Sequence, residues 1–124
     1  MDDPRILIQV STRHLPGHLP ADSAQYAFAY QITIRNQSDT DVQLLNRYWL
    51  ITDANGKQSE VQGAGVVGKQ PVISPGEEYQ YTSGAILDTP VGTMEGYYEM
   101  ETSDGQRFRA PIDVFGLAMP NVIN

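Results

Sequence analysis

Gly63, Gly65 and Gly68, within the stretch EVQGAGVVGKQ, spell G-x-G-x-x-G, and Gly63 to Lys69 spell most of a phosphate-binding P-loop. That spacing does chemistry when backbone N–H groups meet a phosphate at the start of a following helix. The sequence offers no such helix. Pro71 and Pro75 follow closely, Val72-Ile73 between them is β-branched, and Gln70 stands where a P-loop places its magnesium-binding hydroxyl. Neither nucleotide fold fits. Two readings of the loop stay open. In one, the glycines supply positive φ angles and close approach for a strand-to-strand connection, with Val66 and Val67 tucked into the edge of the core. In the other, backbone amides at Gly63, Gly65 and Gly68 form an anion nest, and Lys69 adds charge.

Other reactive pairings are weaker. His14 and His18 are spaced as metal ligands are on a helix, but Pro16 and Gly17 lie between them, and a metal site needs ligands held in fixed geometry. Glu99 and Glu101 share one face of an alternating strand, which reads as a solvated outer face. With no cysteine, thiol nucleophiles, disulfides and zinc–thiolate sites are excluded. Ser74, Thr82 and Ser83 have no histidine near them in sequence, so no nucleophile–base pair stands out. The residues ask for no cofactor and no metal, and catalysis is not expected. Seven tyrosines are many for this length. Tyr97 and Tyr98 are adjacent, so one must face away from the core of a strand. An outward tyrosine beside Arg47 or Arg109 is an anchor for a protein partner. Tyr97, Tyr98, Arg47 and Arg109 are therefore the candidate partner-binding residues.

These groups must be positioned by strands. The chain has 124 residues, enough for one domain with its own core, with short flexible ends expected at 1–4 and 120–124. Periodicity is two almost everywhere. Ile6, Ile8 and Val10 alternate with Leu7, Gln9 and Ser11; Tyr26, Phe28, Tyr30, Ile32 and Ile34 share one face of a long strand. The run from Val42 to Asp53 slips parity near Leu44-Leu45, as a bulge would make it do, and points Trp49 and Ile51 at the core. Asn55-Gly56 and Asp104-Gly105 suit the positive-φ positions of tight hairpins, and Pro75-Gly76 the centre of a type II turn. No ten-residue window has helical spacing. The expected fold is all-β, an immunoglobulin-like antiparallel sandwich of about seven to eight strands.

Fifteen acidic against eight basic residues give a net charge of −7. That balance argues against nucleic acid as a direct partner. No segment is apolar for the roughly 20 residues a spanning helix needs, and the acidic start lacks the pattern of a signal peptide. A soluble cytoplasmic chain is the expectation.

Several segments together resemble the bacterial ApaG family. They are Arg47–Gly56, Glu60–Gly68 with Gln70-Pro71, Tyr81–Gly84, Leu87–Pro90, Gly92–Gly96, and Phe115 with Leu117-Ala118. The resemblance runs over nearly the whole chain, as a single ApaG domain. It implies a fibronectin-type-III-like β-sandwich, a gene near a diadenosine tetraphosphate hydrolase, and a link to cobalt and magnesium tolerance. It also implies protein binding, since the same domain occurs in an F-box ubiquitin-ligase subunit and a polymerase-delta-interacting protein. The sequence departs from the family where Gly116 replaces an arginine, and where Lys69 replaces an acidic or amide residue. The expected role is a non-catalytic module for a protein partner. The alternative is a small-anion or pyrophosphate-nucleotide sensor that uses the Gly63–Gln70 loop.

Overall fold

The computed structural model describes residues 3–17, 19–20 and 24–120. Of the ends expected at 1–4 and 120–124, residues 1–2 and 121–124 lie outside these described residues, as does His18 of the histidine pair. Eight strands follow one another: β1 (Ile6–His14), β2 (Tyr26–Asn36), β3 (Val42–Asp53), β4 (Gln58–Ala64), β5 (Val72–Ile73), β6 (Glu78–Leu87), β7 (Val91–Thr102) and β8 (Arg107–Ala118). One sheet has the order β1-β2-β6. The other has the order β4-β3-β7-β8, with β5 also paired to β3. Every pairing is antiparallel. The described residues hold no helix, and the architecture is an immunoglobulin/fibronectin-type-III-like sandwich.

Alternation explains the core. In β2, Phe28, Tyr30, Ile32 and Ile34 are buried on one face, because successive side chains of a strand point to opposite faces. They meet Val42, Leu44, Trp49, Met94, Tyr98, Met100, Phe108, Ile112 and Leu117 from the other sheet. Trp49 sits at the centre, 2 % exposed. Its ring lies edge-on to Tyr30, Tyr98 and Phe115, with centroids 5.5, 6.3 and 5.7 Å away, within the range aromatic pairs favour. The segment around Phe115 belongs to β8, which runs unbroken to Ala118. Asn36, fully buried, is kept there by its bonds: Nδ2 donates to the carbonyls of Thr40 and Ile73, and Oδ1 accepts from Ser38.

Two irregularities shape the site. The register of β3 against β7 shifts between Leu44 and Asn46, at the bulge expected from the sequence. A second shift, between Met94 and Gly96, lets β8 bend. Pro75-Gly76 makes its turn, with Gly76 at φ 80° and Glu77 N donating to Ser74 O at 3.0 Å. The two hairpin tips differ from expectation in detail. Gly56 and Gly105 have positive φ, but Asn55 and Asp104 do not. Gly56 N donates to Asp53 O and Gly105 N to Thr102 O, so each tip is a longer loop with one left-handed glycine rather than a two-residue turn.

Candidate functional site

The glycine loop is built on the β3 bulge. β4 pairs with Asn46–Thr52 and β5 with Val42-Gln43, so the loop links two strands on the same edge of β3. Gly65 N and Gln70 Nε2 both donate to Leu45 O, at 2.8 and 2.9 Å, and Leu44 N donates to Pro71 O. Between these anchors Val66 and Lys69 exchange two backbone hydrogen bonds of 2.8 and 3.0 Å. They close a two-residue turn on Val67-Gly68, with φ of 48° and 77°. Positive φ at both central residues is the type I′ arrangement of a hairpin. For β-branched Val67 the left-handed region is strained. Val66 is buried as expected, but Val67 is 63 % exposed and does not tuck into the core.

The three glycines act separately. Gly63 pairs with Arg47, and a Cβ there would lie 2.8 Å from Arg47 Nη1. Its missing side chain is the space the guanidinium occupies. Gly65, at φ 65°, lies where a Cβ would strike the carbonyl of Lys69. Gly68 completes the turn. The amides of Gly65, Val66 and Lys69 are committed to backbone carbonyls, whereas that of Gly68 makes no hydrogen bond among the described residues. The Lys69 side chain is exposed and makes no ion pair among the described residues. Arg47 is the cation that closes on the loop. Its Nη1 donates to Ala64 O at 3.1 Å and to Gly65 O at 3.0 Å.

The outer face of the larger sheet carries the second candidate. Tyr48 and Tyr97 are cross-strand partners, half-buried, with rings stacked at 5.0 Å and 24°. The Arg109 guanidinium lies 4.3 Å from the centroid of Tyr97, a cation–π contact. Tyr48 OH donates to Glu60 Oε2 at 3.1 Å. Partial burial and that bond to Glu60 hold the Tyr48 phenol above the usual tyrosine range. Leu50 lies between Glu60 and Glu95 in the next row across the sheet. On the other side, Asn46 Nδ2 donates to Glu99 at 2.7 Å, and Arg107 bonds Glu101 at 3.0 Å. A shallow cavity of about 400 Å³ beside the tyrosines is lined by Asn46, Gln62, Tyr97 and Glu99 among others.

Tyr98 departs from the expectation of a surface anchor. It is fully buried, and its hydroxyl shares a hydrogen bond with that of Tyr81 inside the core. Burial pushes both phenols well above the ordinary range. Met94 and Met100 share its parity in β7 and are also buried, which is the signal that places Tyr98 inward. Tyr48 and Glu95 were missed by sequence reasoning. Tyr48 adjoins inward Trp49, so its outward placement follows from the same alternation. His14 ends β1 against Phe28, with ring centroids 5.5 Å apart. Glu99 and Glu101 are each matched with Arg107 on the outer face, and no group of three or more His, Asp or Glu is placed to hold a metal ion among the described residues. Among the described residues no helix is long and apolar enough to cross a membrane.

The family model for the ApaG domain matches residues 17–102. The chain belongs to the ApaG domain family. It is 54 % identical to Protein ApaG of Escherichia coli O1:K1 / APEC, over 100 % of this chain and 99 % of that one. Two solved structures share the ApaG fold at high similarity. The first is an X-ray structure of a Northeast Structural Genomics Consortium target, 47 % identical, with a TM-score of 0.91 over 95 % of this chain and 89 % of that one. The second is the putative ApaA protein from Bordetella pertussis, 42 % identical, with a TM-score of 0.90 over 95 % and 96 %. The Escherichia coli relative carries the ApaG name, the two structures share the fold, and none of the three is named for a catalytic activity. At Gly116 a Cβ would meet nothing within 4 Å.

Proposed function

We propose that this ApaG-family protein is a non-catalytic cytoplasmic binding module, and that the outer face of its larger sheet docks a protein partner. The observation that carries this reading is the Tyr48–Tyr97 stack, half-buried on the outer face and flanked by Arg109. Two rigid rings and an arginine are the side chains that most often dominate protein interfaces. They lose little rotamer freedom on binding, because stacking has already fixed them. The partner's chemistry follows from the charge around them. Glu95 is exposed beside the rings and makes no hydrogen bond or ion pair among the described residues. Glu60 lies across the same row. A partner segment that covers the rings and sets a lysine or arginine against Glu95 would match this surface. Any link to cobalt and magnesium tolerance would then run through that partner rather than through an ion held by this chain.

The test is photo-crosslinking in cells from a reporter placed at Gln62, at the rim of the tyrosine surface. One discrete partner should be captured, and Tyr97→Ala, Arg109→Ala and Glu95→Lys should each reduce its capture at least several-fold while the domain stays folded. Capture that is indifferent to all three substitutions removes this surface from consideration.

A further inference from the structure

A second recess lies between the sheets, on the opposite side of β3 from the tyrosine stack. Its volume is about 230 Å³, and Arg47, Val67, Gly68, Thr82 and Ser83 contribute to its walls. None of the residues lining it is acidic, in a chain whose net charge is −7. Arg47 has the same parity as Trp49 on β3 and so reaches into the space between the sheets. Its Nη1 is tied to the loop carbonyls of Ala64 and Gly65. That leaves Nη2 and Nε without an acceptor among the described residues, on a guanidinium already held in place. The amides of Val67 and Gly68, at the tip of the turn, are likewise unpaired there. So is the hydroxyl of Ser83, which shares the inward parity of buried Tyr81 on β6.

We propose that this recess binds one tetrahedral oxyanion of the phosphate class, with Arg47 as its cation and the Val67-Gly68 turn as its lid. The donor set is complementary to such an ion: a planar fork for two oxygens, the unpaired amides of the turn, and the rotatable hydroxyl of Ser83. The volume limits what enters. It falls below the roughly 300 Å³ at which pockets for drug-sized ligands begin, which leaves room for one phosphoryl group. The strained φ of Val67 supports the assignment, because backbone strain gathers at ligand clamps. Both residues of that turn line the recess. The ion is either free phosphate or the phosphoryl group of a larger molecule. This inference is independent of the tyrosine surface and stands or falls without it.

The test is a titration of the folded protein with inorganic phosphate, and separately with O-phosphoserine, at constant ionic strength, following amide resonances and Arg47 Nε. Saturable shifts at Val67, Gly68 and Arg47 are expected. Tighter saturation by inorganic phosphate identifies the free ion, and tighter saturation by O-phosphoserine identifies a phosphorylated ligand. Arg47→Lys keeps the charge but loses the fork, and should weaken binding about tenfold, as loss of a charge-assisted hydrogen bond does. Since Arg47 also braces the loop, Ser83→Ala is the second variant; it leaves those braces intact and should weaken binding by about threefold or more. Shifts that stay linear with concentration, that chloride reproduces, or that survive both substitutions unchanged overturn the proposal.

Discussion

Tyr97 and Tyr98 are neighbours in sequence and opposites in use. Tyr98 is sealed between the sheets, its hydroxyl matched to Tyr81 and its ring set against Trp49. Tyr97 stands outside, stacked on Tyr48 under Arg109. One backbone step separates a residue that holds the sandwich together from one that the sandwich presents. The difference teaches that side-chain type does not decide role here; strand parity does. A buried phenol must find a partner for its hydroxyl, whereas an outer one is free to offer its ring.

The comparison can be broken most directly by truncation. Tyr98→Ala should destabilise the domain by about 3–5 kcal/mol, the usual loss for a large core aromatic. Tyr97→Ala should cost about 1 kcal/mol or less, the worth of an exposed stack. Denaturant midpoints of the two variants check this, and equal losses would erase the distinction. Alkaline pH sharpens it next. Burial raises the folded-state pKa of Tyr81 and Tyr98. The stability tied to their protonation is therefore fully present below about pH 10 and falls as pH rises beyond it, by about 1.4 kcal/mol per pH unit for each. Unfolding followed across that range should show the decline, and the double Tyr81→Phe/Tyr98→Phe variant should flatten it.

A double-mutant cycle isolates the hydroxyl pair. Tyr98→Phe alone leaves the Tyr81 hydroxyl buried without its partner and should cost about 1–3 kcal/mol. Adding Tyr81→Phe should cost less than a second such loss, because no orphan remains. Strict additivity would mean the pair is not coupled. The smallest effect concerns the loop. Val67→Asn places a residue that tolerates positive φ in the type I′ turn, and should stabilise by up to about 1 kcal/mol. An unchanged or lowered midpoint would show that the valine is not strained.

Much of the fold was legible because alternation is a strong signal in long strands. β2 and the bulge near Leu44-Leu45 follow from it directly, whereas Tyr98 stood among the surface candidates although buried Met94 and Met100 share its parity. The turns were harder. Asn55-Gly56 and Asp104-Gly105 carry the residues of a two-residue turn but close three-residue-type loops. At those tips Asp53 Oδ1 accepts from the amides of Asn55 and Lys57, and Thr102 Oγ1 from that of Gln106, and these side-chain bonds select the longer form. The two-residue turn falls instead at Val67-Gly68, against local preference, because the β3 bulge and its two bonds to Leu45 O fix the loop on either side. Long-range contact overrode propensity there. Arg47 illustrates the same limit: its sequence neighbours mark it as a charged residue on a strand, while its seat depends on Gly63, which only pairing brings opposite.

The small hairpin between β4 and β5 has one more consequence. It divides that rim of the larger sheet into a seven-residue piece and a two-residue piece, with Val66 and Lys69 already bonded to each other in the gap. Another chain laying a strand along this rim would lose its template after β4 and could not regain it in register. Long, flat, unpaired edges are where β-proteins polymerise into fibres; here the same turn that frames the recess cuts such growth short.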